Sequence, residues 1–145
     1  MSEKIVIDCD DAPFTPNGWT VEEHNKMGQI EWNSEKIELY LSKGQKNKWI
    51  EGNKLRKELE DKPVLNANVL DYLLAHPHLI PDEWKKDKNG NTRYIFFWGT
   101  IYRSSGGYLV VRCLFFDGGE WDWCYYWRDY DWDGRSPAAL LANCP

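Results

Sequence analysis

The chain is poor in the residues that most often announce chemistry. Of its 145 residues only three are His and four are Cys. His24, His76 and His78 make no zinc-ligand spacing with Cys9, Cys113, Cys124 and Cys144, and no two cysteines stand as a CxxC pair. That argues against a structural zinc site. There is no GxSxG elbow and no Walker-type loop, and no Cys or Ser has an evident base nearby. No apolar run approaches the roughly 18 residues that a membrane span needs. The start, MSEKIVIDCDD, has only a short apolar-leaning stretch before acid arrives, and it does not read as a signal peptide. The expected compartment is cytoplasmic, and there the cysteines are expected as free thiols. A net charge of −5 argues against broad nucleic-acid binding.

What is present is acid and aromatic surface, concentrated late. The stretch GGEWDWCYYWRDYDWDG, residues 118–134, holds four Trp, three Tyr, four Asp and one Glu. All twelve Lys lie at or before Lys88, and residues 43–57 carry six basic residues against one acid. That basic segment, with Trp49 in it, could touch phosphate, although a solvated Lys-rich face is the commoner meaning. The length suits one domain, 1–145, with a real core.

Periodicity predicts an α+β chain. KIVID, WTVEE and GQIEW read as small N-terminal strands. From Asn33 the period becomes helical, and a helical part spans about 33–86. A first helix starts near Ser34 with Ile37, Tyr40 and Leu41 on one face and ends at Gly44. A second runs over about 53–60, with Leu55 and Leu59 as its apolar pair. The third, NANVLDYLLAHP, is capped by Asn66 or Asn68 and stopped by Pro77. Pro81 opens a short turn. From about 93 to 128 the chain predicts a C-terminal three-stranded antiparallel meander, TRYIFFWGTIYR, YLVVRCLFF and WDWCYYWR, joined by turns at SSGG and DGGE. The tail SPAALLANCP reads as a short helical turn.

The turns imply a register. A turn centred on Gly118-Gly119 sets Cys113 opposite Cys124 and Arg112 opposite Tyr125; one centred on Ser105-Gly106 sets Gly99 opposite Arg112 and Trp98 opposite Cys113. One face then carries Ile101, Arg112, Trp121, Trp123, Tyr125 and Trp127, the other Tyr102, Cys113, Cys124 and Tyr126. Both are apolar, so the sheet is covered on both sides or one face is a recognition surface. Coverage is the commoner explanation of aromatic stripes in strands. For recognition, the candidate residues are Arg112, Trp121, Trp123, Tyr125 and Trp127, with the rings receiving Arg112 as a cation–π partner and Gly99 leaving a hollow beside it.

Two acidic clusters could hold metal. DYDWDG (Asp129, Asp131, Asp133) fits the first six positions of a calcium loop, but the twelfth is Leu140 and no helices flank it. Asp8, Asp10 and Asp11 follow a strand, as carboxylates in metal-dependent phosphoryl transfer do; turn capping is the commoner role.

Taken together, IDCDDAPFTPNGW, EGNKLRKEL, PVLNANVLDYLLAHP, IFFWGTIYR and GGEWDW make the chain resemble a family of small bacterial hypothetical proteins. The resemblance spans nearly the whole chain and implies a single domain. It carries over no activity, cofactor or site residue. The expectation is a non-catalytic binding or interaction protein with no cofactor and no membrane. It would use the aromatic sheet face for a protein partner or for self-association as a homo-oligomer. The alternative is a metal-dependent hydrolase or nuclease using Asp8, Asp10 and Asp11.

Overall fold

The computed structural model describes residues 4–142. Within them the chain is α+β, with three α-helices and eleven strands. In order these are β1 (Val6–Asp8), β2 (Thr20–His24), β3 (Gln29–Glu31), β4 (Ile37–Tyr40), α1 (Lys43–Asn47), β5 (Trp49–Glu51), α2 (Gly52–Leu59) and α3 (Ala67–Ala75). Then follow β6 (Ile95–Phe96), β7 (Thr100–Arg103), β8 (Leu109–Asp117), β9 (Glu120–Trp127), β10 (Asp131–Asp133) and β11 (Ala138–Leu141). None of these helices is long and apolar enough to cross a membrane.

The expected C-terminal three-stranded meander is not what forms: its segments belong to a mixed seven-stranded sheet that also takes in β2, β4 and β11. The segment read as one strand, TRYIFFWGTIYR, is broken at Trp98-Gly99 into β6 and β7. β7 pairs with the start of β8 and with β2; β6 pairs with its later half and, on its other side, with β11, which carries β4. The sheet is therefore forked. β9 covers the opposite flank of β8.

The break has a local cause. Gly99 lies against the backbone start of α3, where a Cβ on Gly99 would sit 2.8 Å from the N, Cα and Cβ of Asn66. The Gly99 N–H donates to the Leu65 carbonyl at 2.9 Å, and the Asn25 N–H donates to the Gly99 carbonyl at 2.7 Å. Thr100 Oγ1 accepts the Ala67 N–H at 2.9 Å, which satisfies one of the unpaired donors of the first helical turn. Asn66 caps α3 with its carbonyl oxygen, and its amide group donates to the carbonyls of Cys9 and Asn25. The hollow expected beside Gly99 is filled by this polar knot.

Two cores flank the sheet. On one face, Val69, Leu70 and Leu73 of α3 pack with Ile7, Cys9, Trp32, Trp84, Phe97 and Leu114. On the other, Leu55 and Leu59 of α2 and Trp132 of β10 pack with Phe96, Trp98, Val111 and Cys113. Coverage on both faces explains why neither face alternates with polar residues.

Other expectations change. The apolar residues Ile37, Tyr40 and Leu41 do not make a helix. A single 3-10 turn at Ser34–Lys36, capped by Asn33, leads straight into β4. Ser42 then starts α1 with a reciprocal capping box to Gln45. The tail is not helical: Ala138–Leu141 form β11, buried between β6 and β4, where pairing on both edges outweighs the helix preference of Ala and Leu. Of the small N-terminal strands, β2 joins β7 in the main sheet while β3 joins β1. Cys113 and Cys124 are not free thiols. They sit directly opposite with a Cα–Cα distance of 5.0 Å and form a cross-strand disulfide. Cys9 is a buried free thiol, and Cys144 lies outside the described residues.

Candidate functional site

The β8–β9 hairpin places the expected recognition residues. Gly118 and Gly119 both adopt positive φ, +61° and +85°, the backbone that a two-residue turn of this hand demands. The register follows as read from the sequence: Arg112 opposite Tyr125, Leu114 opposite Trp123, Phe116 opposite Trp121 and Val110 opposite Trp127.

Arg112 is not a surface group. It is only 1% exposed. Its two terminal nitrogens donate to the two carboxylate oxygens of Asp71 on α3, each at 2.9 Å. The guanidinium carbon lies 4.2 Å from the Trp123 ring centroid, 5.3 Å from Phe14 and 5.9 Å from Tyr102. Burial alone would pull the Arg112 pKa down; the Asp71 hydrogen bonds and charge reverse this and hold it above the ordinary value. The cation–π contact foreseen at this position exists, but it is sealed inside. Phe14, from the Pro-rich segment after β1, and Trp19 cover it. The Phe14 carbonyl accepts the Tyr102 hydroxyl at 2.7 Å, and Trp19 meets Tyr102, Trp123 and Tyr125 edge to face.

The remaining four residues divide by position. Trp121 and Trp123 are half-buried against the α3-side core. Trp127 is half-buried beside Val110, and Tyr125 is exposed at 44%. Tyr130, beyond the strand, is exposed and meets the Trp127 ring at 5.1 Å. β9 pairs only with β8, so its outer flank is a free strand edge among the described residues.

The hairpin also lines a cleft that strand alternation alone does not reveal. Tyr94, Phe96, Cys124, Tyr125 and Tyr126 supply its ring and apolar lining, and Asp131, Asp133, Arg135 and Ser136 its polar lining. Its volume is about 330 Å³. Here DYDWDG folds as a strand, not a calcium loop. β10 pairs with β5, sending Trp132 into the core, where it is 1% exposed, and leaving its two neighbouring acids on the other side. Burial would raise the Asp133 carboxyl, but the Arg135 guanidinium at 3.0 Å and the Arg135 backbone N–H hold it below the usual range. Burial pushes the Tyr126 hydroxyl pKa up, and the charges of Asp131 and Asp133 push it further. The Asp-Trp-Asp alternation was the signal for a strand.

The N-terminal acids serve the backbone. Asp8 accepts the Asp10 N–H, Asp10 accepts the Gly28 N–H and Asp11 accepts the Ala12 N–H. Among the described residues no three His, Cys, Asp or Glu side chains are grouped to hold a metal ion. No family model, curated protein or solved structure matches this chain.

Proposed function

We propose that the chain is a non-catalytic interaction protein that pairs along the free edge of β9, with a second copy of itself as the occupant. The observation that carries this reading is an eight-residue aromatic edge strand with no Lys and no Pro along it. Exposed edges of this kind are templates for another strand, and folded monomers normally blunt them with such residues. Tyr125, Trp127 and Tyr130 give the ring surface that interfaces favour. Arg112 and Trp123 hold the strand in place from behind and do not themselves meet the partner. The metal-dependent alternative rests on Asp8, Asp10 and Asp11, whose carboxylates already accept backbone N–H groups; no observation favours it.

The test is light scattering with size-exclusion chromatography over a wide concentration range, for the parent and for Tyr125→Lys. The parent is expected to shift from monomer to dimer as concentration rises. The exposed Lys replacement keeps the parental melting temperature and stays monomeric. A parent that is monomeric throughout, or a Tyr125→Lys variant that dimerises as the parent does, removes the reading.

A further inference from the structure

The aromatic cleft shares two of its lining residues with a neighbouring hollow. Asp133 and Arg135 also line a second hollow, of about 590 Å³, whose other walls include Lys46, Lys88 and Arg93. The two hollows adjoin at that pair, one lined largely by rings and the other carrying Lys46, Lys88 and Arg93. Lys46 and Lys88 are exposed, and neither forms an ion pair among the described residues. Arg93 uses one terminal nitrogen on the Glu83 carbonyl. The acids at this end are already engaged. Asp87 accepts the backbone N–H groups of Asn89 and Asn91, and Asp133 holds Arg135. Lys46, Lys88, Arg93 and Arg135 face two carboxylates, Asp87 and Asp133, so the local balance is basic in a chain whose net charge is −5.

Rings alone would be core, and lysines alone a solvated face. Their adjacency selects a ligand with both characters. We propose that this cleft binds a phosphorylated nucleoside. The base lies against Tyr94 and Tyr126, since ring faces stack on any base. The phosphate lies among Lys46, Lys88, Arg93 and Arg135, where charge-assisted hydrogen bonds are strongest. Asp131, which has no ion-pair partner among the described residues, accepts from a ribose hydroxyl or an exocyclic amino group. Each hollow falls in the range of about 300–1,000 Å³ typical of small-molecule sites. Lys46 comes from the basic segment of residues 43–57, which the fold carries to the cleft through α1. The ligand can be a free nucleotide or one residue of a single strand, because the recognising chemistry is the same.

Calorimetric titration at low salt with AMP, adenosine, inorganic phosphate and a short oligoadenylate tests this. AMP is expected to bind more tightly than adenosine or phosphate alone, and more weakly as salt is added. The Lys46→Ala/Lys88→Ala double variant changes only exposed side chains. It should keep the parental melting temperature and lose about tenfold or more in AMP affinity, the scale of two charge-assisted contacts. Tyr94→Ala should lose on the order of tenfold for AMP and leave phosphate binding unchanged. Both sources support the site, and the oligoadenylate tells them apart: tighter binding than AMP indicates a single strand, equal binding a free nucleotide. No binding of any probe at millimolar concentration overturns the proposal. So does phosphate binding as tightly as AMP, or parental affinity in the double Lys variant. These variants leave the residues of β9 unchanged, so dimerisation measured on the same variants separates a failed cleft from a failed interface, although Tyr125 lines the cleft as well.

Discussion

Arg112 on β8 and Asp71 on α3 are joined by two hydrogen bonds of 2.9 Å, yet their exposures are very unequal, 1% for Arg112 against 31% for Asp71. The pair ties the helix to the sheet across 41 residues of sequence. Its two halves should not respond alike to substitution. Asp71→Ala strands a buried guanidinium whose Nε already lacks a partner, at a cost of about 3–5 kcal/mol. Arg112→Met leaves a carboxylate that can turn to water, and its flexible apolar replacement still packs under Trp123. Denaturant unfolding of the two variants is expected to show Asp71→Ala as the less stable. The reverse order would mean that the aromatic enclosure, and not Asp71, is what keeps Arg112 in place.

Gly99 is needed for space. Its φ is not in the left-handed region, but an added methyl group would meet the α3 cap backbone at 2.8 Å. Gly99→Ala is expected to cost about 1–3 kcal/mol, the range for overpacking a close contact. Amide hydrogen exchange gives the more specific reading. Protection should fall at Asn25 and Gly99, whose N–H groups close the knot. An unchanged stability would mean that the helix start can withdraw from the sheet without loss.

Burial pushes the Cys9 thiol up from 9.0 to about 11, with Asp8 and Asp10 adding to the effect. The folded protein therefore holds this proton to higher pH than the unfolded chain does. The contribution to stability is complete below pH 9.0 and is lost as pH rises through about 11. Stability measured across that window should decline less steeply in Cys9→Ala than in the parent. Equal slopes would mean that the thiol ionises in the folded state as it does in the unfolded one.

The parts that were legible in the sequence are those governed by near neighbours. Gly118-Gly119 fixed a two-residue turn, and the whole β8–β9 register followed, including Cys113 opposite Cys124. The expectation of free thiols rested on a reducing compartment and not on this register, which brings the two sulfurs together. The α3 cap and stop were legible because Asn66 and Pro77 act within one turn. The break at Gly99 was not, because its cause is the start of a helix more than thirty residues earlier. Phe96, not Trp98, faces Cys113, and Tyr102 faces Val110. The pairing sums differ by an odd number across the break, so Tyr102 joins the Arg112 side and Ile101 the other. The ring partner of Arg112 could be read from strand alternation. Its acid partner could not, since Asp71 looked like an ordinary polar position on an amphipathic helix. The cleft was hidden for the same reason: Tyr94, Tyr126 and Arg135 are far apart in the sequence and line one hollow only in the fold.

The position of β11 has a consequence for how the molecule is made. It lies between β6 and β4, so among the described residues the part of the sheet built from residues 37–40 is joined to the rest only through residues 138–141. Until those residues emerge, an emerging chain carries two unjoined sheet fragments with open flanks, and the aromatic hairpin is already present beside them. Closure is a late, long-range event, of the kind that slows folding and leaves pairing edges exposed to other chains. Pairing of β11 is therefore the step that withdraws the open flanks of β4 and β6 from other chains.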